Sequence, residues 1–160
     1  TLTLALGDAL AVALMEHREF RSANFHAFHP GGKLGSKLAT VSQLMQARED
    51  LAIVRNSTPM KDVLIEMTTS SFGVAIVEEN GVIVGIITDG DLRRNAKDLF
   101  SKVASMVATP QPGTIAATDL ASKALNFMQK RKTYSLAVTN EKNKVVGLVR
   151  MHDLLKAGVL

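Results

Sequence analysis

Two short stretches of this chain carry side chains whose types and spacing could do chemistry. Thr88-Asp89-Gly90-Asp91 follows an apolar run and leads into Arg93 and Arg94, and Arg150-Met151-His152-Asp153 follows a second such run. A hydroxyl with a carboxylate three residues later, at the start of a helix, has two uses. In a capping box Thr88 accepts from the backbone N–H three residues on and Asp91 reaches back to the helix entry. Alternatively, a carboxylate accepts hydrogen bonds from the two vicinal hydroxyls of a ribose, while the helix N-terminus and Arg93 or Arg94 hold a phosphate. Arg150 cannot act as a cap, yet Asp153 keeps the place equivalent to Asp91. Capping alone therefore leaves the second copy unaccounted for, and both uses stay open.

Other reactive residues give weaker signals. His29 stands in the loop His29-Pro30-Gly31-Gly32-Lys33-Leu34-Gly35, and a histidine beside proline is more often a turn residue than a proton carrier. Gly31-Gly32-Lys33 lacks the four-residue spacer and the following hydroxyl of a nucleotide-hydrolysing loop. His17, His26, His29 and His152 show neither an H-E-x-x-H pattern nor carboxylates at ligand spacing, so no metal is expected. Met45, Met60, Met67, Met106 and Met128 fall on apolar helix faces and read as core filler.

The elements that position these groups come twice. Met60–Thr68 is a helix with Val63, Leu64 and Met67 on one face and Pro59 suited to its first turn. Val74–Val77 and Val82–Ile87 are strands joined through Glu78-Glu79-Asn80-Gly81, where Asn-Gly favours a tight hairpin. A helix starts at Asp89. The second copy runs as helix Leu120–Lys130, strand Ser135–Val138, turn Asn140–Lys144, strand Val145–Val149 and helix His152–Ala157, with one extra residue in its turn. Ile53-Val54 opens the first copy, and Thr109-Pro110-Gln111-Pro112-Gly113 is a rigid turn at the corresponding entry to the second. The reading is α+β with a βαββα order in each half. Two such units, each too small to bury a core comfortably alone, should pack face to face and enclose a cleft.

Ahead of them, Leu2–Phe20 has helical apolar spacing but no capping residue at its start, and a short helix capped by Ser22 follows. Residues 1–39 form a separate element, with repeats at 40–104 and 105–160.

Composition narrows the function classes. The chain has 160 residues, 46% of them apolar, a net charge of +4, no cysteine, no tryptophan and one tyrosine. With so few aromatics and scattered basic residues, stacking platforms for nucleic acid are scarce, and a small-anion ligand is favoured. The absence of cysteine excludes disulfides and thiolate zinc sites and fits a cytoplasmic location. Neither a transmembrane helix nor a signal peptide is indicated, so no membrane partner is expected.

The duplicated pattern resembles tandem cystathionine-β-synthase-type (CBS) domains. Gly85, Thr88 and Asp91 match the glycine, hydroxyl and aspartate of that family, as do Gly147 and Asp153 in the second copy, where Arg150 replaces the hydroxyl. The resemblance implies a pseudo-two-fold pair that binds adenosyl or other nucleotides in its central cleft and regulates an attached enzyme. It points to Thr88, Asp91 and Asp153 as ligand-binding residues, to which the residue pattern adds Arg93 and Arg150. Arg150 favours one good site over two, or a cation for a phosphate or carboxylate.

Leu6–Leu14, the Phe28–Gly35 loop and the ending Met151–Gly158 make the whole chain similar to the C-terminal part of the arabinose 5-phosphate isomerase family. In that family a sugar isomerase (SIS) domain precedes the CBS pair and interconverts ribulose 5-phosphate and arabinose 5-phosphate for Kdo and lipopolysaccharide synthesis. The resemblance implies that residues 1–39 are a SIS remnant, that His29 is a candidate catalytic residue, and that no cofactor is needed. Aldose–ketose isomerisation requires a base, carbonyl-polarising groups and a phosphate cradle; without them this chain is expected to be inactive alone. The implied partners are a nucleotide or nucleotide sugar (CMP-Kdo or an adenine nucleotide), the chain's own SIS domain and further copies in a homo-oligomer. The rival expectation is a structural dimerisation module without ligand sensing.

Overall fold

The computed structural model describes residues 1–19 and 38–159. In chain order the elements are α1 (Leu2–His17), α2 (Val41–Leu44), β1 (Gln46–Ala47), β2 (Ala52–Val54), α3 (Met60–Ser70), β3 (Val74–Glu79), β4 (Val82–Thr88), α4 (Asp89–Arg94), α5 (Ala104–Val107), β5 (Thr109–Pro110), β6 (Thr114–Ala116), α6 (Ala121–Arg131), β7 (Ser135–Thr139), β8 (Val145–Arg150) and α7 (Met151–Lys156). The expected βαββα order is present in both halves. The helix expected after Ser22 lies outside the described residues.

Each hairpin forms the centre of a four-stranded sheet, with strand orders β2-β3-β4-β5 and β1-β8-β7-β6. β2 runs parallel to β3 and β6 parallel to β7, while both hairpins are antiparallel. The first turn takes the Asn-Gly form read from the sequence, with φ of 51° at Asn80 and 78° at Gly81. Along β3, successive side chains point to opposite faces. Ala75 and Val77 join Met60, Val63 and Met67 of α3 in one core, and Val74 and Ile76 join the seam between the sheets.

The outer strands cross over. β1, at the start of the first repeat, pairs with β8 of the second, and β5, at the start of the second repeat, pairs with β4 of the first. The same exchange supplies the helix starts. Pro59 and Leu120, at the entries to α3 and α6, have no side-chain oxygen to offer, so the first N–H groups need backbone partners. The N–H of Met60 donates to the Lys102 carbonyl at 3.0 Å, and that of Ala121 to the Ala39 carbonyl at 2.8 Å. In return, the N–H of Ala104 donates to Thr58 and that of Val41 to Asp119, both at 2.8 Å.

Two glycines let the crossing strands approach. A Cβ on Gly147 would stand 2.5 Å from the Gln46 carbonyl oxygen, and one on Gly85 would stand 2.9 Å from the Ala108 Cβ. Both positions need a residue without a side chain because another strand occupies that space.

Val74, Ile76 and Ile86 of one sheet meet Ala137, Val145 and Leu148 of the other, with Leu51, Ile53 and Ile83 packed around them. Arg48 spans the same seam, donating to Glu78 at 2.7 and 3.2 Å and to the Val145 carbonyl at 3.0 Å. The hydrogen bond from Arg48 to Glu78 raises the guanidinium's pKa against the opposing effect of burial. The apolar seam supplies most of the adhesion. Each fully buried aliphatic side chain contributes about 1.5–3 kcal/mol, whereas an ion pair with its Arg side chain 41% exposed belongs with surface pairs worth about 0–1 kcal/mol. Arg48 helps fix the register of the two sheets.

α1 is a helix as expected, but it ends at His17 and buries none of its residues. Met60, Met67 and Met128 are core filler; Met106, on the four-residue α5, is 64% exposed, because so short a helix turns only Ala104 and Val107 inward.

Replacing Gly147 by Ala is expected to destabilise the chain by about 1–3 kcal/mol, the usual cost of overpacking. Gly85→Ala should cost less, because its nearest obstacle is a methyl group and not a carbonyl oxygen. Chemical denaturation checks the order; two variants as stable as the parent would contradict the crossed-strand packing.

Candidate functional site

A cleft of about 540 Å³ opens where the halves meet, lined from both repeats. The first repeat supplies Phe72-Gly73-Val74 from the turn after α3, and Thr88 to Asp91 with Arg93 and Arg94 at α4. The second supplies Lys132 to Ser135 from the turn after α6, and Arg150 at the end of β8. Both turns begin the same way: Ser71 and Lys132 end their helices in the left-handed region, with φ of 57° and 53°. That reversal sends the chain directly into β3 and β7 and leaves Phe72 and Tyr134 at the cleft.

Asp91 is 4% exposed and its carboxylate is fully engaged. One oxygen accepts from the Thr88 N–H at 2.8 Å and the Thr88 hydroxyl at 2.6 Å. The other accepts from Arg94 at 2.6 Å and from Thr109 at 3.0 Å. A carboxylate offers about four lone-pair sites, and here all are occupied. Burial alone would raise the pKa of this carboxyl, but the hydrogen bonds from Thr88, Thr109 and Arg94 together hold it below the usual range. The capping box is present at Thr88. A ligand hydroxyl reaches Asp91 only by displacing Arg94 or Thr109, and Arg94 is the easier to move, with its side chain 67% exposed.

Asp153 is held differently. Arg150 donates to both of its oxygens, at 2.8 and 3.0 Å, in the bidentate geometry that suits guanidinium and carboxylate. These bonds draw the Asp153 pKa down against the opposing effect of burial. The aspartate retained without a hydroxyl three residues before it thus has a local partner: Arg150, at the cap position, binds it directly. Arg150 also lies over the Phe72 ring, 4.8 Å from its centre.

The structure therefore brings Thr88, Asp91, Arg93 and Arg150 to one cleft and leaves Asp153 off its lining. His29 lies outside the described residues. Sequence reasoning missed Phe72, Lys132, Tyr134 and Thr109; the available signal was that helix-to-strand turns of a duplicated motif meet where the motifs meet. Four basic side chains line the cleft against two acidic ones. Among the described residues Arg93 and Lys132 form no ion pair, so the cleft presents free positive charge beside two aromatic rings. It is suited to an anion with a flat, stackable group. Among the described residues no three His, Asp or Glu side chains are grouped to hold a metal, and no helix is long and apolar enough to cross a membrane.

Comparison with known proteins agrees with this architecture. Residues 41–98 and 103–160 each match the CBS domain family. The chain is 46% identical over 153 residues to a probable arabinose 5-phosphate isomerase of Haemophilus influenzae, covering 92% of this chain and 45% of that protein. It is 41% identical to the arabinose 5-phosphate isomerase KdsD of Pseudomonas aeruginosa, covering 100% of this chain and 51% of that one. The chain thus spans about half the length of these curated relatives. Among solved structures it is similar to CBSX2 in complex with AMP, with a TM-score of 0.64 and 23% identity over 74% of this chain and 95% of that one. It is likewise similar to the CBS domain of a bacterial CNNM/CorC family Mg2+ transporter in complex with ATP, with a TM-score of 0.67 and 21% identity over 78% of this chain and 89% of that one. Two matched repeats, exchanged outer strands and a cleft lined from both lead to one conclusion: the chain belongs to the CBS-domain family and carries two such domains in tandem.

Proposed function

We propose that this chain is the nucleotide-sensing CBS pair of a cytoplasmic arabinose 5-phosphate isomerase, and that its cleft takes a nucleotide or nucleotide sugar that regulates the attached SIS domain. The full protein would interconvert ribulose 5-phosphate and arabinose 5-phosphate, with His29 in its catalytic part. The observation that carries the ligand reading is the pairing of unneutralised cations with aromatic rings: Arg93 and Lys132 come from opposite repeats and Tyr134 is 77% exposed beside them. Phosphate would lie between the cations, the base against a ring, and the ribose hydroxyls toward Thr88 and Asp91 once Arg94 swings away. The AMP and ATP held by structurally similar CBS pairs support a nucleotide. CMP-Kdo is the favoured occupant for an enzyme that feeds Kdo synthesis, since its phosphate and carboxylate would both find a cation.

A dimerisation role draws on a different observation. Ile65, Phe100, Met106 and Leu155 are each at least half exposed and leave apolar surface on the helical side. A pure dimerisation module would melt at a temperature set by its own concentration and indifferent to nucleotides, whereas a sensor's melting temperature rises with ligand.

Calorimetric titration of the chain with CMP-Kdo, CMP, AMP and ATP is expected to show binding by at least one of them. No heat with any at millimolar concentration would remove the sensor reading. Arg93→Ala, at an exposed residue without an ion-pair partner among the described residues, is expected to weaken binding by about 1–3 kcal/mol, as for a charge-assisted hydrogen bond. Its melting temperature without ligand should match the parent's. Unchanged affinity would place the phosphate elsewhere.

A further inference from the structure

The two repeats set equivalent residues around an approximate two-fold axis, and the cleft does not follow that symmetry. Arg150 stands where the first repeat has Thr88, Asp153 where it has Asp91, and Phe72 stands where the second repeat has Thr133. The first-repeat half is open. There the small Thr88 hydroxyl binds the aspartate, Thr133 of the other repeat lines the same cleft, and the covering arginine, Arg94, reaches one carboxylate oxygen from a side chain that is 67% exposed.

The second-repeat half is filled. Arg150 is 27% exposed, grips both oxygens of Asp153 and rests on Phe72 at 4.8 Å. His152, Asp153, Leu155 and Lys156 all lie off the cleft lining, whereas their counterparts Gly90, Asp91, Arg93 and Arg94 all belong to it. A hydroxyl competing for Asp153 must break two charge-assisted bonds and unstack a guanidinium already ordered between a ring and a carboxylate. At Asp91 it need only displace one contact made by a loosely held arm.

We propose that the Phe72–Arg150–Asp153 stack is a built-in plug that closes the second half-site, so that each chain takes a single nucleotide, seated on the Thr88–Asp91 side. The proposal rests on the reading of the cleft as a nucleotide site and adds to it the number of occupants, their side and the residues that decide both. The plug needs both large side chains: the ring orders the guanidinium, and the guanidinium covers the carboxylate. With threonine at both positions, as in the open half, nothing would cover Asp153, although Leu155, Ser71 and Gly73 would still stand where the first half-site has Arg93, Lys132 and Tyr134.

The test is calorimetry with AMP as the probe, on the chain and on the double variant Phe72→Thr, Arg150→Thr. The parent is expected to bind one AMP per chain and the double variant two, the second more weakly because Leu155 offers no cation where the first half-site has Arg93. Two per parent chain would overturn the plug, as would a double variant that melts cooperatively yet still binds one. A measurement that needs no variant guards against misfolding: amide NMR shifts on adding AMP to the parent should fall on residues 88–94 and spare 152–156. Shifts of equal size in both stretches would also overturn it. No binding of AMP, ATP, CMP or CMP-Kdo by parent or variant would remove the nucleotide reading itself, and is readily told apart from a parent that binds two.

Discussion

The structure depends on an exchange of backbone hydrogen bonds between the repeats. The helices α3 and α6 begin without capping side chains, and each takes its first acceptor from the segment that leads into the other repeat. Unsatisfied helix N–H groups are costly when buried, and Met60 and Ala121 are fully buried. Neither repeat is complete alone. The lead-in segments carry β1 and β5 across to the opposite sheets, and Gly147 and Gly85 are bare so that these strands can lie against them. The glycine of the repeated motif is thus explained by strand crossing and requires no ligand.

From this exchange the cleft follows. With the outer strands crossed and the apolar seam closed between the sheets, the turns after α3 and α6 come to one opening, together with the ends of β4 and β8. Thr109, on the crossing strand β5, even contributes a hydrogen bond to Asp91, which links the strand exchange to the carboxylate at the cleft. A ligand that drew on Asp91 would disturb the contact between one repeat's aspartate and the other repeat's lead-in. That is a physical route by which occupancy could reach the connection between repeats.

Periodicity made much of this legible in the sequence. The duplicated apolar spacing, the Asn80-Gly81 turn and the alternation in β3 all depend on local rules, and local rules hold here. The crossing of β1 and β5 left no such trace, because two-residue strands such as Gln46-Ala47 have no period to read. Asp91 was legible as both cap and candidate ligand contact, since the two uses demand the same residue at the same place. The persistence of Asp153 pointed toward ligand chemistry when Arg150 was considered as a missing hydroxyl or as a cation for a ligand. An arginine three residues before a carboxylate at a helix start is also a bidentate partner, and it fills that role here. Phe72 and Tyr134 were hidden for another reason: turn residues acquire their meaning from the element across the cleft.

The central claim is that the opening between the repeats is a nucleotide site anchored on the first repeat. A crystal structure of this chain grown with saturating CMP-Kdo or AMP tests it most directly. The account predicts ligand density between Arg93, Lys132 and Tyr134, with Arg94 withdrawn from Asp91. Density confined to another surface, or a cleft left empty with Arg94 still on Asp91, would contradict it.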